Sequence, residues 1–334
     1  MIDVTGVLSD RLVTALRDVE VADGALSARI GAAQFSETDS VKLRGELSRR
    51  LYEVLHAARP ELDGPPPSSF RDPAVEAVLG RATPHRHTRA AVLSLGRDSD
   101  DGERAAVVWE GMRVWLPKAA LADGEATGGD TVLVRVPATR PAISPGFLYV
   151  HGPNRSAAAT GPVLRLYIHL ERLGAAPEVW RRVLTALNDS GVPYQAKVSS
   201  SPLLYPRKDA LVVYLGPGAW EAAEVVRDVA DECGHLIGVG TSPYAHQIAP
   251  GVAVAFEPAD TRPGRDGLSF GQHRCAAVAE ALVAHALGRA VSRAEALHAS
   301  FVSAGIDPSA PARNLDSPDV ASLGLVARPQ GRWA

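Results

Sequence analysis

The segment 163–170, VLRLYIHL, constrains the chain more than any other. Its alternation has a period of two, so it reads as a β-strand with Leu164, Leu166, Ile168 and Leu170 on one face and Arg165, Tyr167 and His169 on the other. On the polar face a guanidinium, a phenol and an imidazole stand in a row, roughly 7 Å from one to the next. Two readings fit: an edge strand that turns these groups to water, or three functional groups aimed at one site.

The flanking sequence supplies the rest of the architecture. Val179, Val183, Leu184 and Leu187 line one face of a helix over 178–189 that stops at Gly191. Strands follow at 194–198 and 209–216, a helix at 218–232, and strands at 235–240 and 251–256. A buried helix runs over 273–287, with Ser269 as the cap of an earlier turn, and Ser292 with Glu295 opens a last helix in capping-box spacing. Toward the N-terminus, helices are expected at 5–19 and 41–59. The second carries Leu43, Leu47, Leu51 and Leu55 behind the cap-like pair Asp39-Ser40. The stretch GPPPSSFRDP at 64–73 breaks regular structure, a short helix follows at 73–81, and short strands with turns fill 88–150. The expected fold is α+β, a mixed sheet flanked by helices, with a helical and small-β N-terminal part. Three regions are expected: 1–140, a candidate for peptide recognition; 141–310, a catalytic domain; and 311–334, an irregular tail. No Gly-rich loop follows a strand, so a nucleotide fold has no support.

The bulk numbers exclude some functions. A net charge of −3 over 334 residues gives no basic excess for nucleic acid or anionic membrane. No apolar run reaches the roughly 20 residues of a membrane helix, and the start lacks a signal-peptide pattern, so a cytoplasmic protein is expected. Cys233 and Cys275 read as small core residues. His85 and His87 have no acidic partner close in sequence, and no serine sits in a nucleophile elbow. Neither metal nor cofactor is expected.

Lys197, in YQAKV, stands on a strand in a chain that otherwise prefers arginine. A lysine can lose its proton when buried or crowded by cations, which arginine cannot; a solvated surface lysine is the alternative. Arg207 follows Tyr205-Pro206, with Lys208 and Asp209 beside it as a charged loop. His273 and Arg274 fall at the expected helix start, where an anion would offset the clash of a cation with the helix dipole. Tyr214, Tyr244 and His246 are candidate peptide contacts.

Taken in order, RLYIHL, VPYQAKV, YPRKDALVVYLG, SPYAHQIAPGVAVAFEP and SFGQHRC resemble one family in sequence and spacing. Its members are plant-pathogen type III effectors of the Hop class and their relatives in bacterial natural-product clusters, the lyases of thioamitide and class V lanthipeptide biosynthesis. The resemblance covers residues 145–290. It implies a fold and site akin to secreted phosphothreonine lyases, with a lysine base, a general acid and cations around the phosphate, and no metal. By that resemblance Lys197 is the base, Arg207 and Arg274 are phosphate ligands, and Arg165 replaces a lysine two residues before the acid. Tyr167 stands where the secreted lyases carry histidine, and the chain departs from the family at His169, where asparagine is more usual. The acid is therefore open between the two, and the cations are expected to lower the Tyr167 pKa. The implied reaction eliminates phosphate from phosphoserine or phosphothreonine of a ribosomal precursor peptide, leaving dehydroalanine or dehydrobutyrine. Its implied partners are that phosphorylated peptide, a separate peptide kinase and a cyclase. The other reading is a non-catalytic phosphopeptide- or leader-peptide-binding protein, or an effector-like protein.

Overall fold

A computed structural model describes residues 8–58, 69–109, 111–121, 128–155 and 161–326. Helix α1 (Asp10–Ala15) is shorter than expected, because the chain turns at Leu16 into β1 (Val19–Val21). β1 forms a small antiparallel sheet with β2 (Ser27–Ile30) and β3 (Ala33–Ser36). Helix α2 (Ser40–Leu51) starts where Asp39 accepts hydrogen bonds from the N–H groups of Val41 and Lys42. It runs on into a π-helical turn, Tyr52–Ala57. Leu43, Leu47 and Leu51 of its apolar stripe are fully buried and Leu55 is half-buried. Of the Pro-rich break, 64–68 lie outside the described residues. Asp72 then caps α3 (Pro73–Ala82), with Pro73 at the position where its missing N–H costs nothing.

A second sheet comprises β4 (His87–Asp98), β5 (Arg104–Trp109), β6 (Met112–Pro117) and β7 (Thr131–Pro137). Leu121 bridges to Val134 and wraps the sheet toward closure around its own core of Ala90, Val92, Val107, Val132, Val134 and Val136.

The large sheet has the order β14–β15–β11–β13–β12–β9–β8, and every pairing in it is antiparallel. Its strands are β8 (Thr139–Ser144), β9 (Phe147–His151), β11 (Leu164–Leu170), β12 (Tyr194–Ser199), β13 (Arg207–Leu215), β14 (His246–Ala249) and β15 (Val252–Phe256). Among the described residues, parallel pairing is confined to β10 (Asn154–Arg155) against β4. The fold is α+β, as expected. VLRLYIHL is a central strand, hydrogen-bonded to β13 on one side and β15 on the other, so the edge-strand reading fails.

The first face of this sheet packs Leu164, Leu166, Ile168 and Leu170 against α3, α4 (Ala176–Asp189) and α5 (Ala222–Glu232). The second face meets α2, α6 (Phe270–Ala286) and α7 (Arg293–Ser303). Ser269 and Gln272 close a full capping box, so α6 begins one turn before the expected start at 273. The strand expected at 235–240 does not form. That backbone bonds to other partners: the Gly238 N–H donates to the His169 carbonyl at 3.0 Å, and the Gly251 N–H to the Val239 carbonyl at 2.9 Å. The tail through 326 lacks regular strands or long helices, yet Asn314, Ser317, Val320 and Leu325 are buried. Cys233 and Cys275 are buried and free.

Two helix glycines give opposite expectations. A Cβ on Gly271 of α6 would lie 2.2 Å from the His56 ring, whereas a Cβ on Gly45 of α2 meets nothing within 4 Å. Thermal unfolding should show Gly271→Ala destabilising by about 1–3 kcal/mol through overpacking. Gly45→Ala should stabilise by up to about 1 kcal/mol through helix propensity.

Candidate functional site

Cross-strand register brings the candidate residues together. Lys197 on β12 lies opposite Val212 on β13, and Val212 opposite Tyr167 on β11. One row along, Gln195, Tyr214 and Arg165 are aligned in the same way. Directly opposed residues share a face, so Lys197, Tyr167, Arg165 and Tyr214 all stand on the second face. The register then shifts between Ile168 and Leu170. Ala210 and Leu211 both turn into the first core, and Asp209 and Arg207 come to the second face. There they meet the π-helical turn, whose Tyr52 hydroxyl accepts from Arg207 Nη2 at 2.8 Å and donates to Asp209 Oδ2 at 3.2 Å.

Each arginine beside Lys197 has its own carboxylate. Arg165 makes a two-pronged pair with Glu257 and lies 5.0 Å above the Tyr214 ring. Arg207 pairs with Asp209 through Nε and Nη2 and lies 5.0 Å from the Phe147 ring. Lys197 is different. Its Nζ sits 4.5 Å from the Phe147 ring centroid, half-buried, with no hydrogen bond or ion pair among the described residues. Burial, then Arg165 and Arg207, push its pKa down to about 8, against the pull of Asp209 and Glu257.

The two candidate acids part company. Tyr167 is buried, edge-on to His56 at 5.4 Å, and its hydroxyl has no hydrogen-bond partner among the described residues. Its pKa is raised, not lowered as expected, because burial outweighs the attraction of Arg165. His169 lies at the register shift, and its Nδ1–H donates to the Gly240 carbonyl at 3.0 Å. Burial lowers its pKa against that hydrogen bond, and the charges that bear on it are Glu171 and Lys208. The structure gathers Tyr167 with Lys197 and leaves His169 outside the group.

Arg274 does not stand at a helix start. With α6 opening at Phe270 it falls in the second turn, fully buried. It donates to the carbonyls of Pro311 at 2.9 Å and Arg313 at 3.2 Å, to Asn314 Oδ1 at 2.8 Å and to His273 Nδ1 at 2.8 Å. These bonds tie the tail to α6. With Nδ1 of His273 accepting, its Nε2–H donates to Asp260 at 2.9 Å. Of the candidate peptide contacts, Tyr214 lies under Arg165 and is half-buried. Tyr244 is wholly buried, so its ring is a core residue and presents no face to a peptide. His246 sits on the edge strand β14, where Nε2–H donates to the Leu325 carbonyl at 3.2 Å.

Several members of the cluster escaped the sequence reading: Tyr52, His56, Phe147 and Glu257, with Asp209 taken for a loop charge. His56 is buried, its Nδ1 lies 3.0 Å from Ser242 Oγ and its Nε2 3.6 Å from Asp209. Burial pushes its pKa down to about 4. Tyr52 and His56 are four apart in a helical segment, and that spacing puts them on one face. Chemically, the cluster offers an amine that gives up its proton more readily than an ordinary lysine, two fixed guanidiniums and a phenol without a hydrogen-bond partner among the described residues, which suits a phosphorylated or carboxylated ligand. Among the described residues no group of three or more His, Cys, Asp and Glu could hold a metal ion, and no helix is long and apolar enough to cross a membrane.

Comparison with known proteins adds a family. Solved structures resemble the chain, among them two effector proteins. One is the effector protein from Pseudomonas syringae pv. tomato strain DC3000, at 13% identity over 81% of this chain and 95% of that one, with a TM-score of 0.45. The other is the effector protein from Pseudomonas syringae pv. syringae strain 61, at 14% identity over 81% and 95%, with a TM-score of 0.46. No curated protein matches. The model of the HopA1 effector protein family matches residues 138–313, more than half of the sequence. The chain belongs to the HopA1 effector protein family.

Proposed function

We propose that the chain is a lyase that removes phosphate from phosphoserine or phosphothreonine in a peptide by β-elimination. The observation that carries this reading is Lys197: an amine without a carboxylate, half-buried between two arginines, with its pKa held down to about 8. At neutral pH a useful fraction of it is a free base, which an ordinary lysine is not.

In the proposed reaction the Nζ lone pair takes the Cα proton of the phosphorylated residue. The C–H electrons form the Cα=Cβ bond, and the Cβ–O electrons depart with the phosphate. The raised pKa of Tyr167 keeps its hydroxyl protonated across the working range, so it can donate to the leaving oxygen. Arg165 and Arg207 would exchange part of their bonding to Glu257 and Asp209 for the phosphate, at about 1.5–3 kcal/mol per charge-assisted hydrogen bond. The substrate class, a ribosomal precursor peptide phosphorylated by a separate kinase, and the cyclase that would follow rest on the family resemblance alone.

A second reading has an observation of its own. Both site arginines are already satisfied by carboxylates of this chain, as an effector-like protein that binds without turnover would also have them. Turnover separates the two. Wild-type protein with a synthetic phosphothreonine peptide should release inorganic phosphate and leave a dehydrobutyrine mass, and Lys197→Ala should bind the peptide without converting it. Binding by wild type with no phosphate released would favour the effector-like reading, and a Lys197→Ala variant working at the wild-type rate would remove Lys197 as base.

The same assay assigns the acid. Tyr167→Phe keeps the ring packed on His56 and removes only the hydroxyl, and should slow elimination about 100-fold or more. His169→Asn should change the rate little. The reverse pattern would move the acid to His169.

A further inference from the structure

The small sheet carries a second surface that the lyase reading does not use. Its inward side chains are consumed by its own core. The opposite face of such a sheet is ordinarily polar, but here an apolar strip crosses it among the polar residues. Ala91 on β4 lies opposite Leu133 on β7, and Leu93 lies between Thr131 on β7 and Val108 on β5. Trp115 on β6 extends the strip over Ala106. Leu93 and Leu133 are each 43% exposed and Trp115 50%. The result is an apolar strip running across four strands.

At one end of the strip Arg89 and Arg135 stand directly opposite each other, both exposed, and neither has an ion pair among the described residues. Like charges in that position repel and destabilise the pairing. Arg113, opposite Val108 and also exposed, flanks the strip. An anionic partner would relieve the repulsion while its apolar side chains cover Leu93 and Leu133. The acidic turn at 98–103 lies at the far end of β4, about 30 Å from Arg89 at the rise of an extended strand. A long polyanion or an anionic membrane would meet that turn as well, whereas a short acidic segment would not. With a single aromatic ring, the strip also lacks the stacking platforms of a single-strand nucleic-acid binder.

We propose that this face docks an acidic amphipathic peptide segment, with its apolar side chains on Leu93, Leu133 and Trp115 and its carboxylates on Arg89 and Arg135. The proposal stands whether or not the chain eliminates phosphate. Fluorescence anisotropy with a labelled helix-forming peptide of Leu and Glu, spaced to place all leucines on one face, tests it on the full-length chain. That peptide should bind, more weakly as salt rises. The charge reversal Arg89→Glu/Arg135→Glu and, separately, Leu93→Ser/Leu133→Ser should each weaken it roughly tenfold or more. Circular dichroism identifies any variant that fails to fold, and Arg135→Glu alone, on an exposed side chain, should still show a loss of affinity. Equal binding of a matched Leu/Lys peptide, or affinities unchanged in both double variants, would overturn the proposal. So would tighter binding of phosphatidylserine vesicles or single-stranded DNA, lost in Arg89→Glu/Arg135→Glu.

Discussion

Positive charge buried against one face of a β-sheet is the constraint on which the site depends. Arg165 and Arg207 are both buried, and taking such ions out of water costs several kcal/mol each unless a counter-charge and hydrogen bonds replace the solvent. Glu257 and Asp209 do this, one for each guanidinium. Burial alone would raise the Asp209 pKa, but Arg207 and His56 hold it below the usual carboxylate range. Lys197 comes third to this arrangement and finds no carboxylate of its own. An arginine in its place would have to stay charged, but a lysine can yield its proton. Burial, together with the two arginine charges, therefore leaves the lysine uncharged for part of the time, against the pull of the same two carboxylates.

The wall of the site comes from outside the segment that the family model matches. Tyr52 and His56 belong to the π-helical turn that extends α2, and they bind Arg207 and Asp209 from above. This packing requires the close approach of His56 to Gly271 on α6, so α2 and α6 are locked in register by one missing side chain. Arg274, about one turn further along the same helix, holds the tail by its carbonyls. Residues 8–57 thus share a core with α6 and α7.

Local pattern and capping chemistry made much of the fold legible. The period-two alternation of 163–170 located β11, and Asp39, Ser269 and Ser292 each cap the helix their positions suggested. Features fixed by tertiary pairing were hidden. Alternation cannot distinguish a central strand from an edge strand when its second face is covered by a distant helix. The register shift in β13 that turns Asp209 and Arg207 onto the site face has no local signature. In the site, a lysine on a strand could be read as a candidate base from residue type, whereas Glu257, 92 residues from Arg165, could be paired with it only by the fold. The sign of the Tyr167 shift depended on burial, which a strand viewed alone does not report.

The central claim is that the Lys197 pKa is held well below the ordinary lysine range, near 8, so that a minor but useful fraction of the amine is neutral near physiological pH. The lysines of the chain are Lys42, Lys118, Lys197 and Lys208, so a 13C-lysine label gives a sparse NMR spectrum in which Lys197→Arg identifies the signal. Its Cε resonance, followed from pH 6 to 11, should titrate with a midpoint near 8, charged below that pH and neutral above it. Replacing Arg165 by Gln should move the midpoint upward, since a cation that disfavours the charged amine is removed. A Lys197 midpoint in the ordinary lysine range, about 10.4, in the folded wild-type protein would contradict the account.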